Sequence, residues 1–191
     1  MYKDMVSLLQ EKKIGDFEIR HFTITDKNIR ALIDGIMPGK YVQLVRNGTC
    51  VMSNTDMEQR TNYRFCRDAH GDILIGGLGL GMILMAIQDK EEVKSITVLE
   101  KFPEVIELVA NQLPLNEKVT IVNADVFEYK PNQKYDCIYM DIWDFVNSDV
   151  YEEMKQLKRK YGHYLKPLSE SPKRFNYCWA EYYAKNNRRL Y

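Results

Sequence analysis

The run Ile73-Leu74-Ile75-Gly76-Gly77-Leu78-Gly79-Leu80-Gly81 constrains this chain more than any other segment. A short apolar stretch that breaks into glycines suits a strand buried on both faces and leaving the sheet through a tight turn. The residues from Gly81 to Gln88 then continue as a helix. Glycines let the backbone approach a ligand closely, and a helix N-terminus presents free amide donors. The dinucleotide fingerprint G-x-G-x-x-G needs glycine or alanine five positions after its first glycine. Counting from Gly77 that place is Met82, and from Gly79 it is Leu84, so the pattern fails. G-x-G-x-G fits instead, as Gly77, Gly79 and Gly81. A strand-to-helix turn that binds nothing is the competing reading.

The surrounding pattern extends this unit. Ser95-Ile96-Thr97-Val98-Leu99 reads as a second strand closing on Glu100. Pro103 at a helix N1 position opens a helix with Val105, Ile106, Leu108, Val109 and Leu113 at helical spacing. Val119 to Val122 and Tyr135 to Met140 read as a third and a fourth strand. Strands alternating with helices at this rhythm predict an α/β fold, a Rossmann-like doubly wound parallel sheet. Residues 1–70 have a different texture. Phe17 to Ile24 and Tyr41 to Val45 alternate as strands, Asn47-Gly48 predicts a hairpin into Thr49 to Ser53, and 56–68 reads as a short helix. Beyond Asp144 the rhythm stops: Ser148 to Tyr161 reads as a basic helix, Pro167 to Pro172 as a loop, and Arg174 to Tyr191 as an aromatic-rich helix, with no fifth strand. The resulting division is an N-terminal hairpin region (1–70), a sheet core (71–147) and a helical tail (148–191).

Acidic residues follow three of the strand ends, where ligands of doubly wound sheets gather. Glu100 stands nineteen positions after Gly81, close to the spacing at which a carboxylate accepts ribose hydroxyls. Pairing with Lys101 is its bland alternative. Asp125, in Asn123-Ala124-Asp125-Val126-Phe127, follows the third strand and suits an exocyclic amine of adenine or, equally, an N-cap. Asp141 and Asp144, in Asp141-Ile142-Trp143-Asp144, end the fourth strand. A carboxylate there suits deprotonating or steering an acceptor, and Trp143 offers a face for a cation. Capping and plain solvation are the alternatives.

These segments, in this order, resemble the class I S-adenosylmethionine-dependent methyltransferases and, within them, the spermidine-synthase-like branch, over about residues 41–145. The resemblance implies that fold, cut short after its fourth strand, and S-adenosylmethionine as cofactor. It assigns Gly77, Gly79 and Gly81, with Gly76 beside them, to the methionine-side turn. Glu100, with Lys101, goes to the ribose, Asp125 and Val126 to adenine, and Asp141, with Asp144, to the reaction centre. The hairpin from Arg46 to Asp56 is similar to the segment covering the cofactor in that branch. The chain also departs from the pattern. Gly79 stands where aminopropyltransferases carry an aspartate, and Arg60-Thr61-Asn62 replaces their Tyr-His-Glu. Ile75 stands where many methyltransferases are acidic, and no Asp-Pro-Pro-Tyr run is present. A methyltransferase of unidentified acceptor is therefore the first expectation. Aminopropyl transfer, cleavage of the cofactor, and a non-catalytic nucleotide-binding scaffold are the alternatives.

Composition sets outer bounds. With 45% apolar and 28% charged residues among 191, the chain has ordinary globular make-up, and a formal net charge of zero announces no nucleic-acid or membrane partner. No signal peptide or apolar span is legible, so the cytoplasm is the expected location. Cys50, Cys66, Cys137 and Cys178 are too scattered for a disulfide framework or zinc site and read as reduced core thiols; His21, His70 and His163 suggest no metal. The basic, aromatic tail, from Lys155 to Arg189, raises nucleic-acid contact as an option. A solvated face with aromatics docked on the core, or on a second copy of the chain, is the preferred reading.

Overall fold

A computed structural model describes residues 2–188 and Leu190. The N-terminal part runs α1 (Met5–Leu8), β1 (Lys12–Ile14), β2 (Phe17–Ile24), α2 (Ile29–Ile33), β3 (Gly39–Arg46) and β4 (Thr49–Ser53). Its four strands pair antiparallel in chain order. Asn47 and Gly48 sit at φ 50° and 82°, the left-handed pair that turns β3 into β4 with the right twist. The expected strands and hairpin of this region are present, and β1 adds an edge that its three residues did not announce.

α3 (Asp56–Asp68) leads into β5 (Gly71–Gly76), α4 (Met82–Ile87), β6 (Val93–Glu100), α5 (Pro103–Val109) with a 3₁₀ turn at Ala110–Gln112, and β7 (Val119–Asn123). The chain then forms β8 (Cys137–Met140), α6 (Ser148–Gly162), β9 (Phe175–Cys178) and α7 (Glu181–Lys185). The second sheet has the order β7-β6-β5-β8-β9, and every neighbouring pair is parallel. The chain progresses outward from β5 to β7, returns, and then progresses outward through β8 and β9 on the other side. This reversal between β5 and β8 is the topological switch point of a Rossmann-like fold.

Both faces of the sheet are buried, so alternate residues serve opposite cores. Ile73, Ile75, Ile96, Val98 and Tyr139 join the cluster formed with α3, α4 and α5. Leu74, Leu99, Ile138 and Met140 join the cluster beneath α6. α6 offers Val150, Met154, Leu157 and Tyr161, one stripe at helical spacing, each fully or nearly enclosed. Burial of such side chains contributes about 1.5–3 kcal/mol apiece. Helices on both faces make the sheet doubly wound, as expected.

The tail differs from its expectation. Residues 175–178 form a fifth parallel strand rather than the start of a helix, and only Glu181–Lys185 is helical in α7. The sheet is thus not cut short after β8, and the segment 148–191 is not simply helical. Phe175 and Tyr177 stack on each other at 4.4 Å, and Phe175 packs edge-on against Phe65, while Asn176 on the opposite face donates to the Lys158 carbonyl at 3.0 Å. Phe175 and Trp179 are docked on the core, and Tyr182 is exposed. Arg189 of the basic set and Tyr191, the end of the expected helix, lie outside the described residues. Cys66, Cys137 and Cys178 are buried thiols, whereas Cys50 is exposed and so is not a core residue.

Candidate active site

A cavity of about 360 Å³ opens at the carboxyl ends of the central strands. Such a volume is in the range of small-molecule sites, and the place is where switch-point ligands sit. One wall comes from the N-terminal sheet, through Phe17, Leu44, Arg46, Val51 and Met52. Strand order then lays the sequence-derived acids side by side: Asp125 after β7, Glu100 at the end of β6, the Gly77 turn after β5, and Asp141 after β8. Three strand spacings make this row about 14 Å long. Gly77, Gly79, Glu100, Lys101, Asp125, Val126, Asp141, Trp143 and Asp144 all line the cavity.

Gly76 and Gly81 do not line it. A side chain on Gly76 would strike the Met140 sulfur and Val126, and one on Gly81 would strike Leu113, so both positions answer to interior packing. Gly77, at φ 95°, has no room for a side chain because the Asp141 carbonyl lies against it. At Gly79 the neighbour is the thioether of Met52, whose sulfur also accepts the Leu80 amide at 3.4 Å. The close approach that the glycine turn allows is thus used here by the chain itself, through a methionine of the hairpin wall.

Glu100 is 7% exposed, and its two oxygens accept the amides of Phe102 and Leu78, each at 2.9 Å. The carboxylate ties the glycine turn to the entry of α5. Burial pushes its pKa up, and the amides of Phe102, Leu78 and Lys101 hold it back. Each oxygen keeps a second lone pair for a hydroxyl donor. Asp125 combines both of its readings. Its Oδ1 accepts the Phe127 amide at 2.8 Å, capping a turn, and its Oδ2 pairs with Lys101 at 2.8 Å. The Lys101 hydrogen bond, joined by the Phe127 amide, holds this carboxyl below its usual range. Lys101 is mostly exposed, so the pair is an easily exchanged one.

The inner end has a different character. Asp141 makes no side-chain hydrogen bond or ion pair among the described residues, and burial, then the charge of Glu58, drives its pKa far above the carboxylate range. Glu58 is 8% exposed, also lines the cavity, and is pushed by burial to about 7 against the pull of the Ser53 amide. Sequence reading missed this residue. Glu58, Asn62, Phe65 and Cys66 form the buried stripe of α3 at positions i, i+4, i+7 and i+8, but its first two members are polar, so the apolar pattern alone does not mark Glu58. Phe65 stacks flat on Tyr139 at 4.1 Å, and the Tyr139 hydroxyl donates to Asn62 Oδ1 at 2.8 Å. These contacts fix α3 on β8 and carry Glu58 to Asp141. Two tryptophans complete this end. Trp143 donates its indole N–H to Glu153 at 2.8 Å, and Trp179 donates to Thr61 at 3.0 Å, so both rings are held in place where they line the cavity. Asp144 is exposed at the mouth.

The strand order and the cavity define a Rossmann-like α/β protein with a pocket at its topological switch point. No protein-family model matches the chain, and no curated protein matches it. Among solved structures it is similar to the N-methyltransferase NodS from Bradyrhizobium japonicum WM9, at 16% identity and a TM-score of 0.46, over 58% of this chain and 64% of that one. It is also similar to DhpI, solved with SAM and HEP (18% identity, TM-score 0.47, 59% of this chain and 50% of that one). A third is the plantazolicin methyltransferase BpumL with SAH (18% identity, TM-score 0.43, 58% and 48%). The chain thus covers between 48% and 64% of the length of these proteins, and likeness at this level transfers no activity.

Proposed function

We propose that this chain is an S-adenosylmethionine-dependent transferase, and first a methyltransferase. The observation that carries the reading is the row Asp125, Glu100, Gly77, Asp141 along one edge of a single cavity. A nucleoside with a charged tail has the matching order of parts: base amine, ribose diol, then the sulfur end. Glu100 orients the ribose, and Asp125 with Val126 receives the base once Lys101 swings aside. The glycine turn admits the chain of the ligand where Met52 gives way. When bound, the cofactor supplies a methyl group on a sulfonium, so the protein has mainly to align the reactants and exclude water. Phe17, Met52 and the two fixed indoles close the cavity walls. Asp141 stands where an acceptor's proton is taken up, with Asp144 at the mouth where a small-molecule acceptor enters.

One observation favours a second reading, transfer of an aminopropyl group as in the spermidine-synthase-like branch. The cations that line the cavity, Arg46 and Lys101, lie at the Glu100 and Asp125 end, with Arg46 4.5 Å above the Phe102 ring. Among the described lining residues none at the Asp141 end is a lysine or arginine that would pair with a methionine carboxylate. A decarboxylated sulfonium nucleoside suits such an end. Calorimetry with S-adenosylmethionine, S-adenosylhomocysteine and methylthioadenosine tests the pocket itself. Mass spectrometry of products separates the readings, since methyl transfer leaves S-adenosylhomocysteine and aminopropyl transfer leaves methylthioadenosine. Glu100→Gln is expected to weaken all three nucleosides about tenfold or more, because one acceptor oxygen becomes a donor. Unchanged affinities would remove the ribose assignment.

A further inference from the structure

Glu58, buried, and Asp141, half-buried, are two carboxyl groups at one end of the cavity, where no lysine or arginine stands among the described lining residues. Glu58 is more than nine-tenths buried and lines the cavity, and the one group that holds its carboxylate is the Ser53 amide, with no ion pair to it among the described residues. The groups around Asp141 are Glu58 from α3, Tyr2 from the N-terminus, Cys66 from α3, Tyr139 from β8 and Cys178 from β9. All four tyrosines and cysteines are pushed up by burial and stay neutral at physiological pH. Trp143 and Trp179 present fixed aromatic rings to the same space. Leaving two desolvated carboxyls unpaired is costly, and a positive group placed between them and two indoles relieves that cost.

We infer that Glu58 and Asp141, with the Trp143 and Trp179 rings, form a receptor for positive charge that makes the cavity prefer a sulfonium nucleoside over the neutral thioether. This rests on the nucleoside reading above and adds a charge-reading residue, Glu58, that acts at the far end from Glu100. It has a functional consequence. Whichever group is transferred, the sulfonium loses its charge, so the spent nucleoside loses its hold on this end of the pocket and leaves.

The test is calorimetry on the full chain with S-adenosylmethionine, S-adenosylhomocysteine and methylthioadenosine, for the native protein, Glu58→Gln and Asp141→Asn. The native protein is expected to bind S-adenosylmethionine about tenfold or more tightly than S-adenosylhomocysteine. Either substitution is expected to bring that ratio close to one, and with Glu58→Gln the affinity for the two neutral nucleosides holds, which also reports that the pocket is intact. Repeating the titration in buffers of different ionisation enthalpy is expected to show more proton release with the sulfonium than with the thioether. Equal or reversed preference in the native protein, or a preference that survives both substitutions, would overturn the receptor while leaving the nucleoside pocket standing. Binding of none of the three compounds would instead bring down the pocket reading, and the receptor with it.

Discussion

At Glu58, burial and charge work against each other. The carboxyl is raised from 4.5 to about 7, so the folded protein holds its proton more tightly than the unfolded chain does. A group raised in this way adds stability that is full below its unfolded value and lost as pH rises through its folded one. Over that window the loss amounts to about 3 kcal/mol. Urea midpoints of the native protein are therefore expected to fall between pH 4.5 and 8, and Glu58→Gln is expected to fall much less and to exceed the native protein at pH 8. Parallel pH profiles for the two would show that Glu58 is solvated rather than enclosed. A fold that keeps such a destabilising acid at a cavity is spending stability on the site. Of the site residues, those at strand ends were legible because strand periodicity and glycine spacing mark them. Glu58 was not, because a polar residue on a helix's buried stripe looks like any exposed glutamate until the partner face is known. Met52 escaped for a related reason: only the packed hairpin shows that its sulfur fills the space over Gly79.

Among the elements, β9 teaches why short edge strands are hard to read. Phe175-Asn176-Tyr177-Cys178 carries an asparagine in the middle, and Trp179, Tyr182 and Tyr183 follow at spacings that suit a helix. What makes it a strand is tertiary: β8 offers an open parallel edge, and α6 covers one face. The start of this side of the sheet is held by Lys166, whose ammonium pairs with Asp72 at 2.6 Å and Asp136 at 2.7 Å. Burial raises both carboxyls, but the Lys166 hydrogen bonds outweigh it and hold them low. Lys166→Met leaves two adjacent carboxylates facing each other at the bottom of β5 and β8. A loss of about 1–3 kcal/mol is expected at pH 7. The pair is depressed in the folded state, so that contribution is present at neutral pH and fades as pH falls through the folded pKa values. Chemical denaturation at pH 7 and at pH 3 checks this; a loss that is the same at both would assign Lys166 to packing alone.

For the molecule as a whole, the parallel order β7-β6-β5-β8-β9 gathers residues far apart in sequence onto one edge. Asp125, Glu100, Gly77 and Asp141 become neighbours only through that order, and α3 brings Glu58 to the same end. The four-strand rhythm in the sequence was sufficient for the fold class and for the row of strand-end acids, because both follow from local periodicity. The polarity of the cavity, cationic beside Glu100 and acidic beside Asp141, depends on packing between layers and emerged only in three dimensions. The central claim is that this row reads one nucleoside, and a crystal structure of the chain soaked with S-adenosylhomocysteine tests it most directly. The account predicts the adenine beside Asp125, the ribose hydroxyls on Glu100, the sulfur toward Asp141, and Met52 moved off Gly79. A nucleoside bound elsewhere, or lying in this cavity with its ribose away from Glu100, would contradict it.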